Sequence, residues 1–178
     1  MTSWPGWATA PVEVRPADPR WQLLGERLRE ELDVALERWL AAPVEHVGST
    51  AVPGLSAKPV IDLQAAVPDF DCAPAVAEAL GGNGWHLVPP ELDDRPWRRF
   101  LVQATGDVRV AHLHLLLAGS ERWVQQLAFR DALRDEADLR QRYEALKRRL
   151  AVEHAEDREA YTEGKAAFVR AVVARRPA

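Results

Sequence analysis

Apolar residues at Trp21, Leu24, Leu28, Leu32, Ala35, Leu36 and Trp39 recur at i, i+3, i+4 and i+7, which predicts an amphipathic helix over residues 21–42. Glu26, Arg27, Arg29, Glu30, Asp33, Glu37 and Arg38 fall on its opposite face, most simply as solvated surface. The period then changes. Residues 44–47 form a short β-branched run. Residues 59–67 read as a buried strand, with Val60, Asp62, Gln64 and Ala66 on one face and Ile61, Leu63, Ala65 and Val67 on the other. An Ala-rich helix is expected over 71–80, begun near Pro74 and stopped by Gly81-Gly82-Asn83-Gly84, with a short strand over 85–88 behind it. Beyond the polar segment 89–99, runs at 100–105 and 108–117 flank Gly106-Asp107 and read as a hairpin. The second run puts Val110, His112, His114 and Leu116 on one face and Arg109, Ala111, Leu113 and Leu115 on the other. From Ser120, an N-cap followed by Glu121, the apolar spacings at Trp123 and Leu127, at Leu139, Tyr143, Leu146 and Leu150, and at Tyr161, Phe168 and Val172 predict two or three helices.

At 178 residues and 47% hydrophobic, the chain can bury a real core. A single domain over residues 1–178 is expected, with 1–18 as an extended arm packed on the body through Trp4 and Trp7, which equally suit a partner. The formal charge of −4 provides no global field toward nucleic acid or an anionic membrane, so neither partner is expected, and no protein partner is specified by the pattern. Cys72 stands alone, which excludes an internal disulfide and a thiolate zinc pair; a reducing cytoplasm is the simplest setting. The absence of a basic-then-apolar leader and of an 18-residue apolar run predicts a soluble protein that is not exported.

Chemistry concentrates between the first two strands. Gly48-Ser49-Thr50 has a phosphate-cradle composition, because glycine lets backbone N–H groups approach an anion and two hydroxyls can join them. An ordinary turn after a strand has the same composition. Asp62 is an ionisable group among aliphatics, costly unless a metal, a base or a hydrogen-bond network compensates it, and Gln64 projects beside it. If the strand 108–117 pairs with that of Asp62, His112 and His114 join the same face. Two imidazoles and a carboxylate suit Zn²⁺, Mn²⁺ or Fe²⁺, whereas Mg²⁺ prefers carboxylates, phosphates and water; histidines satisfied by hydrogen bonds within the sheet are the alternative. Lys58 can neutralise a phosphate, pair with Asp62 or sit in solvent, and Arg98, Arg99 and Arg109 can clamp an anion or pair with Asp93 and Asp94. Arg130 can reach the pocket from its helix or serve a structural ion pair.

HVGSTAVPGLSAKPVIDL, His46 to Leu63, closely resembles the signature of the GrpB family, and AHLHLLLAGS, LAFRDALR, YEALKRRLA and YTEGKAAFV resemble its later blocks in order. The resemblance covers about residues 12–173. It implies an α+β, nucleotidyltransferase-like fold: a small mixed β-sheet flanked by helices, with further helices at the C-terminus. In that superfamily a Gly-Ser turn holds a nucleotide phosphate, and a D-x-[DE] pair plus a later strand carboxylate hold two Mg²⁺ ions for phosphoryl transfer. Gly48, Ser49 and Asp62 match the first elements, with Thr50 beside them; the second acid is replaced by Gln64 and the later one by His112 and His114. The implied ligands are a nucleoside triphosphate, as the small phosphate-bearing molecule, and a divalent metal (Mg, Mn or Zn) on Asp62, His112 and His114. Asp62, Lys58, His112 and His114 form the implied catalytic set of a nucleotidyl or phosphoryl transferase. A catalytically silent binding or folding-support module is the alternative, in keeping with the fusion of such domains to dephospho-coenzyme A kinase; an Asp/His/His hydrolase or lyase is a third. This chain has no G-x-x-x-x-G-K-[ST] loop of such a kinase.

Overall fold

Strand periodicity becomes a five-stranded mixed sheet in the computed structural model, which describes residues 13–155 and 157–175. The strands are β1 (Ala42–Val47), β2 (Ile61–Val67), β3 (Trp85–Val88), β4 (Arg99–Thr105) and β5 (Val108–Leu117), in the order β1-β2-β5-β4-β3. β2 and β5 run parallel and every other pair antiparallel. The hairpin β4–β5 turns at Gly106, whose φ of 58° suits a residue without Cβ. The odd-numbered residues of β2 join Leu101, Ala111, Leu113 and Leu115 to bury one sheet face against Leu28, Leu32 and Leu36 of α1 (Arg20–Leu36) and Ala73, Val76 and Leu80 of α2 (Ala73–Gly81). Each such leucine contributes about 1.5–3 kcal/mol over its exposed state.

The largest departures from the sequence expectation are at the end of α1 and in the segment 89–99. α1 ends at Leu36 and passes through a 3-10 turn, Glu37–Trp39, before Leu40 turns extended; Pro43 in turn disfavours helical backbone at Ala42, where β1 begins. Within the polar segment 89–99, α3 (Pro90–Asp93) forms a single helical turn begun by proline and closed by Asp94 in the left-handed region. Cys72 stands at the N-cap position of α2 without a side-chain cap bond, its Sγ donating instead to the Asp69 carbonyl.

Three helices follow: α4 (Glu121–Asp135), α5 (Ala137–Glu153) and α6 (Arg158–Val173). Their apolar stripes gather Ala132, Leu133, Leu139, Tyr143 and Val172 around Val52 and Leu55, so the loop between β1 and β2 is built into the helical core. That insertion brings α5 to the Ser49 turn. Part of the expected N-terminal arm lies outside the described residues, including Trp4 and Trp7; Arg15 does make a two-way backbone bridge with Ala57 of the same loop. Among the described residues no helix is long and apolar enough to cross a membrane.

α1 is seated by Gly25. A Cβ there would stand 2.1 Å from His46 Nδ1. Gly25→Ala is expected to lose about 1–3 kcal/mol of stability in urea titration, because the overlap outweighs the helix-propensity gain of about 1 kcal/mol. A stabilised variant would refute this packing account.

Candidate functional site

Pairing across the sheet builds the site row by row. Val47, Asp62, His112 and Val102 align across β1, β2, β5 and β4, and Glu45, Gln64, His114 and Phe100 form the next row. The parallel register sets Asp62 opposite His112 and Gln64 opposite His114, on the face away from α1. His112 Nδ1 lies 2.9 Å from Asp62 Oδ1, and His114 Nε2 lies 3.8 Å from the same oxygen. Gln64 is 0% exposed; its Nε2 donates to the Trp123 carbonyl of α4 at 3.3 Å, while its Oε1 has no hydrogen-bond partner among the described residues.

At the end of β1 the chain passes over the Asp62 carboxylate. Gly48 adopts φ 72°, ψ −169°, and a Cβ on it would lie 2.7 Å from Asp62 Oδ2. Ser49 to Ala51 then form a 3-10 turn. Ser49 and Thr50 part company here: the Thr50 hydroxyl turns inward, donating to the Val60 carbonyl and lying 3.1 Å from His46 Nε2, while Ser49 Oγ accepts from Lys147 Nζ at 3.1 Å. Lys147, on α5, is 2% exposed and also donates to the Ser56 carbonyl. Two of its three N–H donors are so engaged. Its period was the available signal: it lies on the stripe with Leu139, Tyr143 and Leu150, a cation where the helix buries its apolar face. Lys58 is half-buried in the loop before β2, its carbonyl accepting from the Val60 N–H.

The arginines divide by role. Arg98 forks onto Asp93 and places Nη1 2.6 Å from His114 Nδ1. Arg99 lies over the Phe70 ring. Arg130 ties α4 to β1 through Glu45 and the His46 carbonyl and also pairs with Asp131.

Burial pushes the Asp62 carboxyl up, but the hydrogen bond from His112 and the nearby His114 outweigh it and hold the group well below the usual carboxylate range. Burial takes His114 down to about 4 despite the neighbouring Asp62, and Arg98 adds to the depression, leaving the ring neutral at pH 7. Burial lowers Lys147 to about 7, assisted by the charge of Lys165. His46, a core histidine, also falls to about 4 through burial.

Asp62, His112 and His114 offer ligand atoms that all lie within 4.8 Å of one another. By donor type this set suits a transition metal; by hydrogen-bond direction the Asp62 carboxylate presents oxygen lone pairs and His112, whose Nδ1–H points at Asp62, carries its lone pair on Nε2, while Arg98 occupies the lone pair of His114 Nδ1. The carboxylate therefore fits a hard divalent cation that brings its own phosphate and water oxygens.

The GrpB protein family model matches residues 11–175. A UPF0157 protein of Pseudomonas aeruginosa is 38% identical over 174 residues, which cover 92% of this chain and 67% of that one. The crystal structure of the conserved protein GrpB from Enterococcus faecalis superposes with a TM-score of 0.79 at 27% identity, over 92% of this chain and 96% of the other. The Cid1 poly(U) polymerase with Mg 3′-dATP bound superposes with a TM-score of 0.54 at 12% identity, over 85% of this chain and 49% of Cid1, a likeness of fold alone.

Proposed function

Because the chain belongs to the GrpB family and has a nucleotidyltransferase-like fold, we propose that it binds a nucleoside triphosphate together with a divalent cation and transfers a nucleotidyl or phosphoryl group to a small acceptor. The observation that carries this reading is the approach of the Gly48 backbone to Asp62, 2.7 Å from Oδ2 to an added Cβ, which brings a phosphate-cradling turn and a cation-binding carboxylate within reach of one ligand. The cation would neutralise phosphate oxygens and align the group in transfer. Asp62 anchors it; Ser49 and the turn backbone hold phosphate; Lys147, joined by Lys58, supplies positive charge. His112, oriented by the Asp62 carboxylate, takes the proton of the attacking hydroxyl, and the adjacent negative charge favours the imidazolium that forms. His114 faces the same Asp62 oxygen at 3.8 Å.

A second reading, binding without transfer, is favoured by Gln64: a neutral amide tied to Trp123 stands where a two-cation enzyme has an acid. Product formation from a nucleoside triphosphate would decide between them.

Binding itself is tested by thermal-shift titration of the four nucleoside triphosphates with and without Mg²⁺ or Mn²⁺. A ligand at about 100 times its Kd adds about 2.7 kcal/mol, and no shift in any combination would end the nucleotide reading. Lys147 sharpens the test. Its folded pKa of about 7 lies below its ordinary value of 10.5, so the folded state binds fewer protons than the unfolded state between these values. Stability should rise with pH through that window, most steeply relative to Lys147→Met. A phosphate near Nζ restores the charge, so binding at pH 8 should take up about one proton, seen by calorimetry in buffers of different ionisation enthalpy. Lys147→Met should abolish the uptake; an uptake that persists would remove Lys147 from the site.

A further inference from the structure

We propose that Arg98 selects the cation of the Asp62 pocket by keeping His114 from ligating it, so that the pocket takes a hard, phosphate-borne ion of the Mg²⁺ type and disfavours a resident Zn²⁺. This rests on the cation-binding part of the reading above. Arg98 Nη1 lies 2.6 Å from His114 Nδ1, and a guanidinium has donors only. His114 Nδ1 must then present its lone pair, and the ring's single proton sits on Nε2, the nitrogen that faces Asp62 Oδ1 at 3.8 Å. Ligation through Nε2 needs the opposite tautomer, whose Nδ1–H would meet the Arg98 N–H donor to donor. Metal-ligating histidines ordinarily turn their second N–H to a carboxylate, a carbonyl or water. Here that place is held by a cation.

Arg98 is poorly placed to yield. The residue is 8% exposed, its Nε donates to Asp93 Oδ2 at 2.7 Å, and its guanidinium carbon lies 4.0 Å over the Phe100 ring. Asp93 is itself buried at the end of α3. On the other side, His112 Nδ1 stands 2.9 Å from the ionised Asp62 and donates to it. With His114 Nε2–H toward Asp62 and His112 Nδ1–H spent on the same carboxylate, at most one imidazole lone pair, on His112 Nε2, remains beside the carboxylate oxygens. Mg²⁺ is bound in this manner, through one or two carboxylates with phosphate and water, whereas Zn²⁺ draws on imidazole lone pairs.

Zn²⁺ calorimetry on the full chain tests the claim with four proteins: wild type, His114→Ala, Asp93→Asn with Arg98→Met, and that pair with His114→Ala. Asp93 is changed with Arg98 so that no buried carboxylate is left unpaired. His114→Ala alone should alter Zn²⁺ affinity by less than about twofold, the Asp93/Arg98 pair should raise it about tenfold or more, and adding His114→Ala should remove the gain. Loss of wild-type Zn²⁺ affinity in His114→Ala, or no gain in the pair, would overturn the proposal. Nitrogen-15 NMR of the wild type reads the tautomer directly: Nε2–H is expected, and Nδ1–H or an imidazolium at pH 7 would overturn it even if the variants fail to fold. None of these measurements involves nucleotide, so a failure of nucleotide binding and a failure of this proposal are separately visible.

Discussion

Asp62→Asn is expected to abolish cation-dependent nucleotide binding in a protein that still folds. The amide is close to the carboxylate in shape, and its oxygen can still accept from His112 Nδ1, so what is lost is charge. Removing one partner of a desolvated charge contact costs about 2–5 kcal/mol, or roughly 30-fold to several thousandfold in affinity. The effect on stability is much smaller, because the Asp62 side chain is 34% exposed: a change of about 1 kcal/mol or less. What stabilisation there is depends on pH in a fixed sense. The folded carboxyl is held below its unfolded value, so its contribution is present above the unfolded pKa and lost as pH falls through the folded one. Wild type and variant should therefore converge in stability in acid. Isothermal titration with Mg²⁺ and a nucleoside triphosphate, beside urea unfolding at several pH values, measures both. Unchanged affinity in folded Asp62→Asn would remove the carboxylate from the ligand site.

Gly48→Ala should damage fold and binding together. Its φ of 72° with ψ of −169° lies in a region open almost only to glycine, so the alanine carries about 1–3 kcal/mol of backbone strain. Its methyl would also stand 2.7 Å from Asp62 Oδ2 and 3.1 Å from Asp62 Cβ. A Cβ that close must displace the carboxylate or the turn, and either movement separates the phosphate cradle from the cation ligand. Denaturant unfolding should show the strain, and calorimetry should show nucleotide affinity reduced about tenfold or more, since 1.4 kcal/mol is a factor of ten. A variant that loses stability but binds normally would show that Gly48 serves the turn alone.

The two residue types at the centre of these predictions differ in how they could be seen. Asp62, His112 and His114 were legible as same-face positions, because alternation along a strand is local, and the observed register sets 62 against 112 and 64 against 114. The resemblance to the GrpB family, carried by His46 to Leu63, anticipated the α+β fold and the sheet flanked by helices. Lys147 was not legible in the same way. Ser49 lies 98 residues before it, and a lysine on a helix rich in arginine and glutamate reads as surface until the helix is seen to bury that stripe against the loop of Val52 and Leu55. Arg98 could be paired with Asp93 from proximity in sequence; its hold on His114 could not, because it depends on β4 lying beside β5.

By itself the sequence determined where each of the five strands runs to within a few residues, which faces the residues of β2 and β5 take, and that a glycine-serine turn precedes an aspartate on an apolar strand. Those properties follow from backbone geometry repeated every two or 3.6 residues. Only the tertiary structure decided that β5 pairs parallel to β2, that α5 delivers a buried lysine to Ser49, and that a guanidinium stands behind His114. Those depend on which distant surfaces bury one another, and the direction of a proton between two side chains is set by partners that no local period encodes.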